Sequence, residues 1–193
     1  MRIIAGKYRS RKINSQLPAK ASPRPAPDKQ DEHKSLRPTT DRARESLFNI
    51  LNNIIDFEGL KCLDLFAGTG SVGFELISRG ANSVSFVESS QMQVKLIEKT
   101  AEELGCQSQI EVHMQNAAAY LSEHKGGYFD LIFADPPYNA VENEKWPGAL
   151  ARIGFNIFVF EHGLYKPDYV FSGYEIMERK TGITNFKIYI SEN

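Results

Sequence analysis

The sequence predicts an α/β fold, in which a mostly parallel β-sheet ends in an antiparallel pair of strands. Two observations carry this prediction. From residue 61, short apolar runs rich in Val, Ile and Phe alternate with amphipathic runs of helical period, which is typical of a parallel sheet covered by helices on both faces. After residue 168, two strand-like runs surround Thr181-Gly182, which favours an antiparallel pair at the edge of the sheet.

The chain before residue 39 divides into a basic extension and a linker. Residues 1–17 include the run RIIAGKYRSRKI, which predicts a short β-hairpin that turns near Gly6 and exposes its basic side chains. Residues 18–38 hold five prolines and many charges, so they bury too little apolar surface to offset the entropy of ordering. We therefore expect a flexible linker there and place the main domain at residues 39–193.

The elements of the main domain have local signals for where they begin or end. Thr39-Thr40-Asp41 is an N-cap signature, and Leu47, Ile50, Leu51 and Ile54 follow it at helical spacing. Further strands are expected within residues 61–67, 83–88, 109–114, 129–134 and 157–160. Further helices are expected within residues 71–80, 90–105 and 117–124, with Gly105 as the C-cap of the longest.

Composition indicates a soluble, globular and cytoplasmic protein. Of the 193 residues, 41% are hydrophobic and 24% are charged, and no apolar run approaches the length of a membrane span. The N-terminus lacks the apolar segment of a signal peptide. Cys62 and Cys106 have no metal-ligand spacing, so we expect neither a zinc site nor a disulfide and place Cys62 in the core. No exposed apolar stripe stands out, and we expect a monomer.

Charge is distributed unevenly along the chain. Residues 1–44 contain 12 Lys and Arg against 4 Asp and Glu, a net charge of +8, whereas residues 45–193 carry a net charge of −9. A basic segment on an acidic body suggests contact with a polyanion such as RNA. A solubilising tail would have the same composition, so charge alone leaves both interpretations open.

A glycine-rich loop follows the first strand of the main domain. Gly68, Gly70 and Gly73 have the G-x-G-x-x-G spacing between a strand and a helix, and Glu88 ends the next strand, where a carboxylate can bind a ribose diol. Asp64 would repel the pyrophosphate of a nicotinamide dinucleotide but attract the ammonium and sulfonium groups of S-adenosylmethionine. S-adenosylmethionine is therefore favoured over a nicotinamide cofactor, and also over the absence of a cofactor.

Asn116-Ala117 follow the third strand, at a place that faces the adenine base of a cofactor in this architecture. The side-chain amide of Asn116 could contact the edge of that base. It could equally cap the helix that follows, and the two roles are compatible.

The fourth strand ends in the turn Asp135-Pro136-Pro137-Tyr138, at the carboxyl edge of the sheet where α/β proteins bind ligands. Prolines fix φ and lack an N–H group, so this stiff turn offers only acceptors, namely the Asp135 carboxylate and the Pro136 carbonyl. Two acceptors on the N–H groups of a nucleobase amine would draw its nitrogen toward tetrahedral geometry while the base stacks on Tyr138. The turn therefore indicates methylation of an exocyclic amine, in which Asp135 either takes the proton or only orients the amine.

Other interpretations stay open at this point. A rigid β-turn capped by Asp135 would have the same residues without any catalytic role. A DNA or RNA adenine-N6 methyltransferase would use the same turn, although no separate DNA-recognition domain is visible. Methylation of a cytosine carbon needs a nucleophilic cysteine beside the turn, and neither cysteine lies there. A non-catalytic, cofactor-binding RNA assembly factor and a nicotinamide oxidoreductase are the remaining alternatives.

Several stretches resemble one methyltransferase family. DLFAGTG together with DPPY resembles the amino-methylating class of S-adenosylmethionine-dependent methyltransferases, and MRIIAGKYRSRKI, RPTTDRARESLFNIL and VFEHG narrow the resemblance. Over nearly its whole length the chain is similar to the bacterial 16S ribosomal RNA guanine-N2 methyltransferase family called RsmD. The resemblance implies a Rossmann-like methyltransferase fold with a seven-stranded sheet and S-adenosylmethionine as cofactor. It also implies a guanine in small-subunit ribosomal RNA, free or in a 30S assembly particle, as substrate.

The resemblance, together with the charge pattern, assigns roles to individual residues. The expected catalytic set is Asp135, Pro136, Pro137 and Tyr138, which would hold the guanine. The residues expected at the cofactor are Arg37, Thr39, Asp64, Phe66, Ala67, Gly68, Thr69, Gly70, Glu88, Ser89, Asn116, Ala117 and Asp135. Arg2, Lys7, Arg9, Arg11, Lys12 and Arg42 are expected to contact RNA, and no residue is expected to bind a metal ion.

The chain departs from the family pattern in three places. Asn116 stands where an aspartate is usual, which changes the contact expected at the adenine amine. Thr100 replaces a common asparagine near the end of the second helix of the βαβ pattern, and the proline-rich linker before Arg37 is longer than usual. None of these positions lies in the ADPPY turn.

Overall fold

The computed structural model describes residues 1–15, 41–124, 126–137, 146–150, 152–162 and 169–192, so the linker predicted at 18–38 lies outside the described residues. The described helices are α1 (Asp41–Leu51), α2 (Ser71–Ser78), α3 (Gln91–Leu104), α4 (Ala117–Glu123) and α5 (Trp146–Leu150). The strands are β1 (Lys61–Leu65), β2 (Ser83–Val87), β3 (Ile110–His113), β4 (Tyr128–Ala134), β5 (Gly154–His162), β6 (Tyr174–Thr181) and β7 (Thr184–Ser191).

The strands form one seven-stranded sheet in the order β3-β2-β1-β4-β5-β7-β6. Strands β1 to β5 are parallel, and β7 runs antiparallel to both β5 and β6. This confirms the predicted mostly parallel sheet with an antiparallel C-terminal edge. The strand order reverses between β1 and β4, and open α/β sheets bind their ligands at such a switch point, beyond the carboxyl ends of the strands.

Helices cover both faces of the sheet. Phe48, Phe74 and Ile97, from α1, α2 and α3, are buried in the core on one face. Leu121 and Leu150, from α4 and α5, are buried in the core on the other. Alternate residues of the central strands enter these two cores, as expected for a sheet buried on both sides. Among the described helices, none is both long enough and apolar enough to cross a lipid bilayer.

Most predicted elements are present within a few residues of their expected bounds. Gly105 ends α3 with a φ of 70°, which confirms it as the C-cap, and Cys62 is buried with a free thiol. Strand β5 is longer than the predicted 157–160, because Phe155 already pairs with Phe129 of β4. No element was predicted at residues 146–150, where the structure has the short helix α5.

The N-terminal segment folds back onto the main domain. Arg2 and Lys12 form one antiparallel bridge rather than a ladder, so the segment is a closed loop more than a regular β-hairpin. Ile3, Tyr8 and Ile13 are buried in the same core as α1, α2 and α3. Residues 1–15 are therefore an integral part of the domain, with a basic outer surface.

Side chains far along the chain hold this segment in place. The buried carboxylate of Glu75 in α2 accepts hydrogen bonds from the backbone N–H groups of Ile4 (2.7 Å) and Ala5 (3.0 Å). Thr100, one of the departures from the family pattern, accepts from both the backbone N–H (3.1 Å) and the side-chain amide (3.2 Å) of Asn14. Charge-assisted bonds to Glu75 are the stronger of these contacts.

We expect Gly6→Ala to detach this segment, because a Cβ atom at residue 6 would lie 1.7 Å from the carbonyl oxygen of Ser78. Backbone atoms would have to move, and we expect the free energy of unfolding to fall by about 3 kcal/mol. Gly59→Ala is a matched control, since Gly59 has the same φ of 79° but no atom of the described part of the chain lies within 4 Å of its Cβ position. Its strain alone should lower stability by about 1 kcal/mol. Equal losses of unfolding free energy in Gly6→Ala and Gly59→Ala, measured by urea denaturation, would contradict the contact between Gly6 and Ser78.

Candidate active site

The loop between β1 and α2 adopts left-handed backbone conformations. Phe66, Gly68 and Gly70 have φ values of 61°, 55° and 76°. Phe66 is not a glycine, so its conformation is strained by about 1 kcal/mol, as is common at binding sites. A Cβ atom on Gly68 would meet no atom of the described residues within 4 Å, so among these residues glycine leaves the space above the loop open to a ligand.

The other two glycines of the motif are required by packing. A Cβ atom on Gly70 would lie 2.9 Å from the ring of Phe74, and one on Gly73 would lie 2.2 Å from the ring of Phe86. Both contacts are shorter than a side chain tolerates. Gly70 and Gly73 therefore allow α2 to pack closely on β2, and this close packing fixes where α2 begins.

Asp64 places a carboxylate under the start of α2. Its side chain is 1% exposed, and it accepts a hydrogen bond of 3.0 Å from the N–H of Gly73, in the first turn of the helix. Burial raises the pKa of Asp64 to about 7; the bond from Gly73 opposes this shift, while the charges of Asp135 and Glu88 add to it. The N–H of Gly73, which would bind a phosphate in a dinucleotide site, thus already donates to Asp64. The site therefore favours a cation over a phosphate.

Glu88 ties the glycine loop to the end of β2. One carboxylate oxygen accepts from the N–H of Gly68 at 2.8 Å, and the other accepts from the N–H of Ser90 at 2.7 Å. Each oxygen keeps a further lone pair, and the side chain is only half-buried, so it can also accept hydrogen bonds from ribose hydroxyls. Ser89, between these residues, is exposed at the same edge.

Asn116 is the N-cap of α4, as the capping interpretation predicted. Its side-chain oxygen accepts a hydrogen bond from the N–H of Ala119 at 2.7 Å, and Ala117 is buried. The amide nitrogen is not used in the cap. Asn116 is exposed and can therefore donate to an acceptor on a base edge, while its oxygen is already occupied.

The ADPPY turn begins directly after β4. Asp135 is half-buried, Pro136 is buried and Pro137 is exposed, while Tyr138 lies outside the described residues. Burial raises the pKa of Asp135 to about 7. A carboxyl group with such a pKa is poised to exchange a proton near neutral pH.

Strand register places the carboxylates in a row. Asp64 is level with Phe86 of β2 and with Phe133 of β4. Glu88 and Asp135 each lie two residues further toward the carboxyl edge on these neighbouring strands. Since strands are about 4.8 Å apart, Glu88 and Asp135 flank the end of β1 across an interval of about 10 Å.

Comparison with known proteins places the chain in a family. The family model described as conserved hypothetical protein 95 matches residues 1–190. The chain belongs to this family. Ribosomal RNA small subunit methyltransferase D of Haemophilus influenzae is 34% identical over 98% of this chain and 93% of its own length. The protein of that name from Escherichia coli K12 is 34% identical over 76% of this chain and 69% of its own length. These matches confirm the resemblance to the RsmD family.

Solved structures agree with this assignment. The candidate methyltransferase yhhF of E. coli has a TM-score of 0.76 and 28% identity, and covers 100% of this chain and 98% of its own. A candidate methylase of H. influenzae has a TM-score of 0.73 and 30% identity over the same shares. The magnesium protoporphyrin IX methyltransferase of Synechocystis, solved with bound SAH, shares the fold at 17% identity and a TM-score of 0.59, over 77% of this chain and 81% of its own. The fold is thus the Rossmann-like methyltransferase fold.

The remaining residues expected from RsmD motifs divide into three groups. In the cofactor loop, Ala67 is buried and Thr69 is half-buried. Two residues expected at the cofactor, Arg37 and Thr39, lie outside the described residues, as Tyr138 does. The residues expected to contact RNA are all exposed, namely Arg2, Lys7, Arg9, Arg11, Lys12 and Arg42.

Arg44 was not singled out from the sequence, although it is fully buried in this RsmD-family chain. Its guanidinium donates to the backbone carbonyl of Arg2 and, at 2.9 Å, to the carboxylate of Asp41. The signal was present in the helical period, because Arg44 shares a face of α1 with Leu47 and Leu51. Arg44, a charged residue at an apolar position of α1, thus joins this helix to the N-terminal segment.

A polar groove lies between α1 and the β6–β7 turn. It has a volume of about 630 Å³, and Arg42 and Lys180 lie along it. The hydroxyl groups of Ser46 and Thr181 are hydrogen-bonded at 2.8 Å and join its two walls. Because the start of β7 pairs with the end of β5, the groove lies at the same carboxyl edge of the sheet as Asp135.

Proposed function

We propose that this protein transfers a methyl group from S-adenosylmethionine to the exocyclic N2 amine of a guanine in small-subunit (16S) ribosomal RNA. One observation carries the proposal: the acceptor-only turn at Asp135-Pro136 lies at the same sheet edge as Asp64 and Glu88, in a chain that belongs to the RsmD family. The relatives at 34% identity are named for methylation of small-subunit ribosomal RNA, which supports this class of substrate.

The residues around the glycine loop fit the proposed cofactor. Asp64 offers a buried negative charge to a cationic group, Glu88 offers acceptors to a ribose, and Gly68 leaves space between them. The exposed amide nitrogen of Asn116 can donate to a ring nitrogen of adenine. When bound, S-adenosylmethionine supplies an electrophilic methyl group on a positively charged sulfur.

Asp135 and the carbonyl of Pro136 act on the amine. Each accepts one N–H of the guanine amine, which fixes the nitrogen and directs its lone pair toward the methyl group. The N–C bond forms as the C–S bond breaks, and the extra proton on nitrogen leaves to the Asp135 carboxylate or to water. Proton removal by a positioned carboxylate contributes roughly 10²–10⁴-fold to the rate.

The proposed substrate is 16S ribosomal RNA, alone or within a 30S assembly particle, and we propose that the protein acts on it as a cytoplasmic monomer. Exposed cations of the N-terminal segment and the groove at Arg42 and Lys180 offer contacts for its phosphates. The chemistry of the amine and the binding of the RNA are thus served by different parts of one domain.

Transfer of a radiolabelled methyl group tests the substrate class. Purified protein would be given labelled S-adenosylmethionine with 16S RNA, 30S subunits, 23S RNA or DNA, each from cells that lack the protein. We expect label in 16S RNA or 30S subunits only. Label in DNA, or in 23S RNA at an equal rate, would contradict the proposal.

We expect removal of two exposed cations to weaken RNA binding and its dependence on salt. Removal of each cation that binds a phosphate should reduce the slope of log K against log salt by about 0.7–0.9. The variant Arg9→Gln/Lys12→Gln is suited to this test, because deleting residues 1–35 would also remove buried core residues. Lys61→Gln/Arg152→Gln removes two exposed cations that lie outside the N-terminal segment and is the control. The same slope of log K against log salt for both double variants would show that the cations of the N-terminal segment only add solubility.

A further inference from the structure

The strand next to Asp135 carries another carboxylate near the site. Ala134 of β4 is level with Phe160 of β5, so the next residue on each strand, Asp135 and Glu161, are neighbours across the ladder. Glu161 closes the buried part of β5 and is 8% exposed. It thus lies one strand further than Asp135 from the glycine loop.

Side-chain alternation puts the two carboxylates on the same face of the sheet. Phe133 and Val159 pack in the core under α1, α2 and α3, whereas Ala134 and Phe160 pack in the opposite core. The following residues, Asp135 and Glu161, therefore return to the face of α1, α2 and α3. The charge of Asp135 contributes to the raised pKa of Asp64, which lies on that face. This agrees with the placement of Asp135 on the face of α1, α2 and α3.

The row of carboxylates has an order that matches the proposed reaction. Glu88, directly after β2, is at the end that would hold a ribose. Asp135, directly after β4, is at the reacting amine, and Glu161 on β5 lies about 4.8 Å beyond. A purine whose amine is held at Asp135, with the methyl donor on the β1 side, therefore extends toward β5. Glu161 makes contacts within the fold, and a carboxylate, with about four acceptor sites, can accept from more than one partner at once.

Guanine and adenine differ at the atom that lies next to the amine. Guanine has an N1–H donor beside its N2 amine, whereas adenine has an N1 lone pair beside its N6 amine. A buried carboxylate accepts a hydrogen bond from the first and repels the second. One hydrogen-bond acceptor placed beside the reacting nitrogen can therefore discriminate guanine from adenine.

We propose that Glu161 accepts the N1–H of the target guanine and so selects guanine over other purine amines. This inference rests on the guanine-N2 activity proposed above. It gives Glu161 a role in specificity, whereas Asp135 acts on the amine itself.

A substrate with 2-aminopurine in place of the methylated guanine tests this role. That base keeps the N2 amine but has a lone pair at N1, and the position to be replaced is found by mapping the methylated nucleotide. The ratio of kcat/KM for guanine to kcat/KM for 2-aminopurine is measured, because this ratio does not depend on the folded fraction. Glu161→Gln is the test variant, since its amide can donate to N1. Glu175→Gln, at an exposed position on β6, is the control.

We expect the wild-type protein to prefer guanine by roughly 10²-fold, and Glu161→Gln to reduce that preference at least tenfold. Glu175→Gln should keep the wild-type ratio. An unchanged ratio in Glu161→Gln would overturn the inference. If that variant does not fold, wild-type protein that methylates both bases equally well would overturn it. A methylated base other than guanine would instead contradict the proposed function itself.

Discussion

Asp135→Asn is expected to slow methyl transfer strongly while the cofactor still binds. Asparagine keeps the size of the side chain and one oxygen acceptor, but it carries no charge and is a very weak base. We expect the single-turnover rate of methyl transfer to fall by roughly 10²–10⁴-fold. The dissociation constant for S-adenosylmethionine should stay within about tenfold, because Asp64 and Glu88 keep their hydrogen bonds to the loop and to α2.

The control for this variant is Asp56→Asn, which changes an exposed carboxylate before β1, at the opposite edge of the sheet. It should have the wild-type rate. The pH profile adds a second test, because burial raises the pKa of Asp135 to about 7. The wild-type rate should rise with pH as this carboxyl group ionises, and a bound cation should move the rise to lower pH. A single-turnover rate near wild type in Asp135→Asn would contradict the assigned role.

Asp64→Asn is expected to stabilise the protein above neutral pH and to weaken cofactor binding. Asparagine can still accept the hydrogen bond from Gly73 through its side-chain oxygen, but it removes a buried negative charge that lies near Asp135 and Glu88. We expect the free energy of unfolding to increase by about 2 kcal/mol at pH 8. Affinity for S-adenosylmethionine should fall by roughly 10- to 100-fold, since an attraction between opposite charges is removed.

The pH dependence of this gain has a defined sign. The pKa of Asp64 is raised in the folded protein from 3.8 to about 7, so the folded state binds more protons than the unfolded state between these values. The contribution of Asp64 to stability therefore falls as pH rises through this window. The advantage of Asp64→Asn should be near zero at pH 4 and complete above pH 7. Urea denaturation at several pH values measures it, and an advantage independent of pH would contradict the buried-charge explanation.

Much of the fold could be predicted because its signals are local. Apolar runs and glycines set the strands and helix ends, and the glycine loop predicted a ligand site directly after the first strand of the main domain. The docking of the N-terminal segment could not be predicted, because it depends on Glu75 and Thr100, which lie 70 residues or more further along the chain. A basic run with three apolar residues does not by itself reveal that those residues enter a distant core.

The residues of the site could be predicted from the sequence, but most of the contacts between them could not. Asp64 was recognised because it precedes the glycine loop, and Glu88 and Asp135 because each lies at the end of a predicted strand; such ends meet at one edge of a parallel sheet. The bond from Gly73 to Asp64 and the packing role of Gly73 against Phe86 appear only in three dimensions. Glu161 became apparent only through the register of β5 with β4.

We propose that the turn at Asp135 delivers the N2 amine of a guanine to the methyl donor. The most direct test is to digest labelled RNA to nucleosides after the reaction and to identify the methylated nucleoside by chromatography and mass spectrometry. We expect N2-methylguanosine as the labelled product, and at least a hundredfold less of it in the same time with Asp135→Asn. Label in N6-methyladenosine, or in a cytosine methylated on carbon, would contradict it.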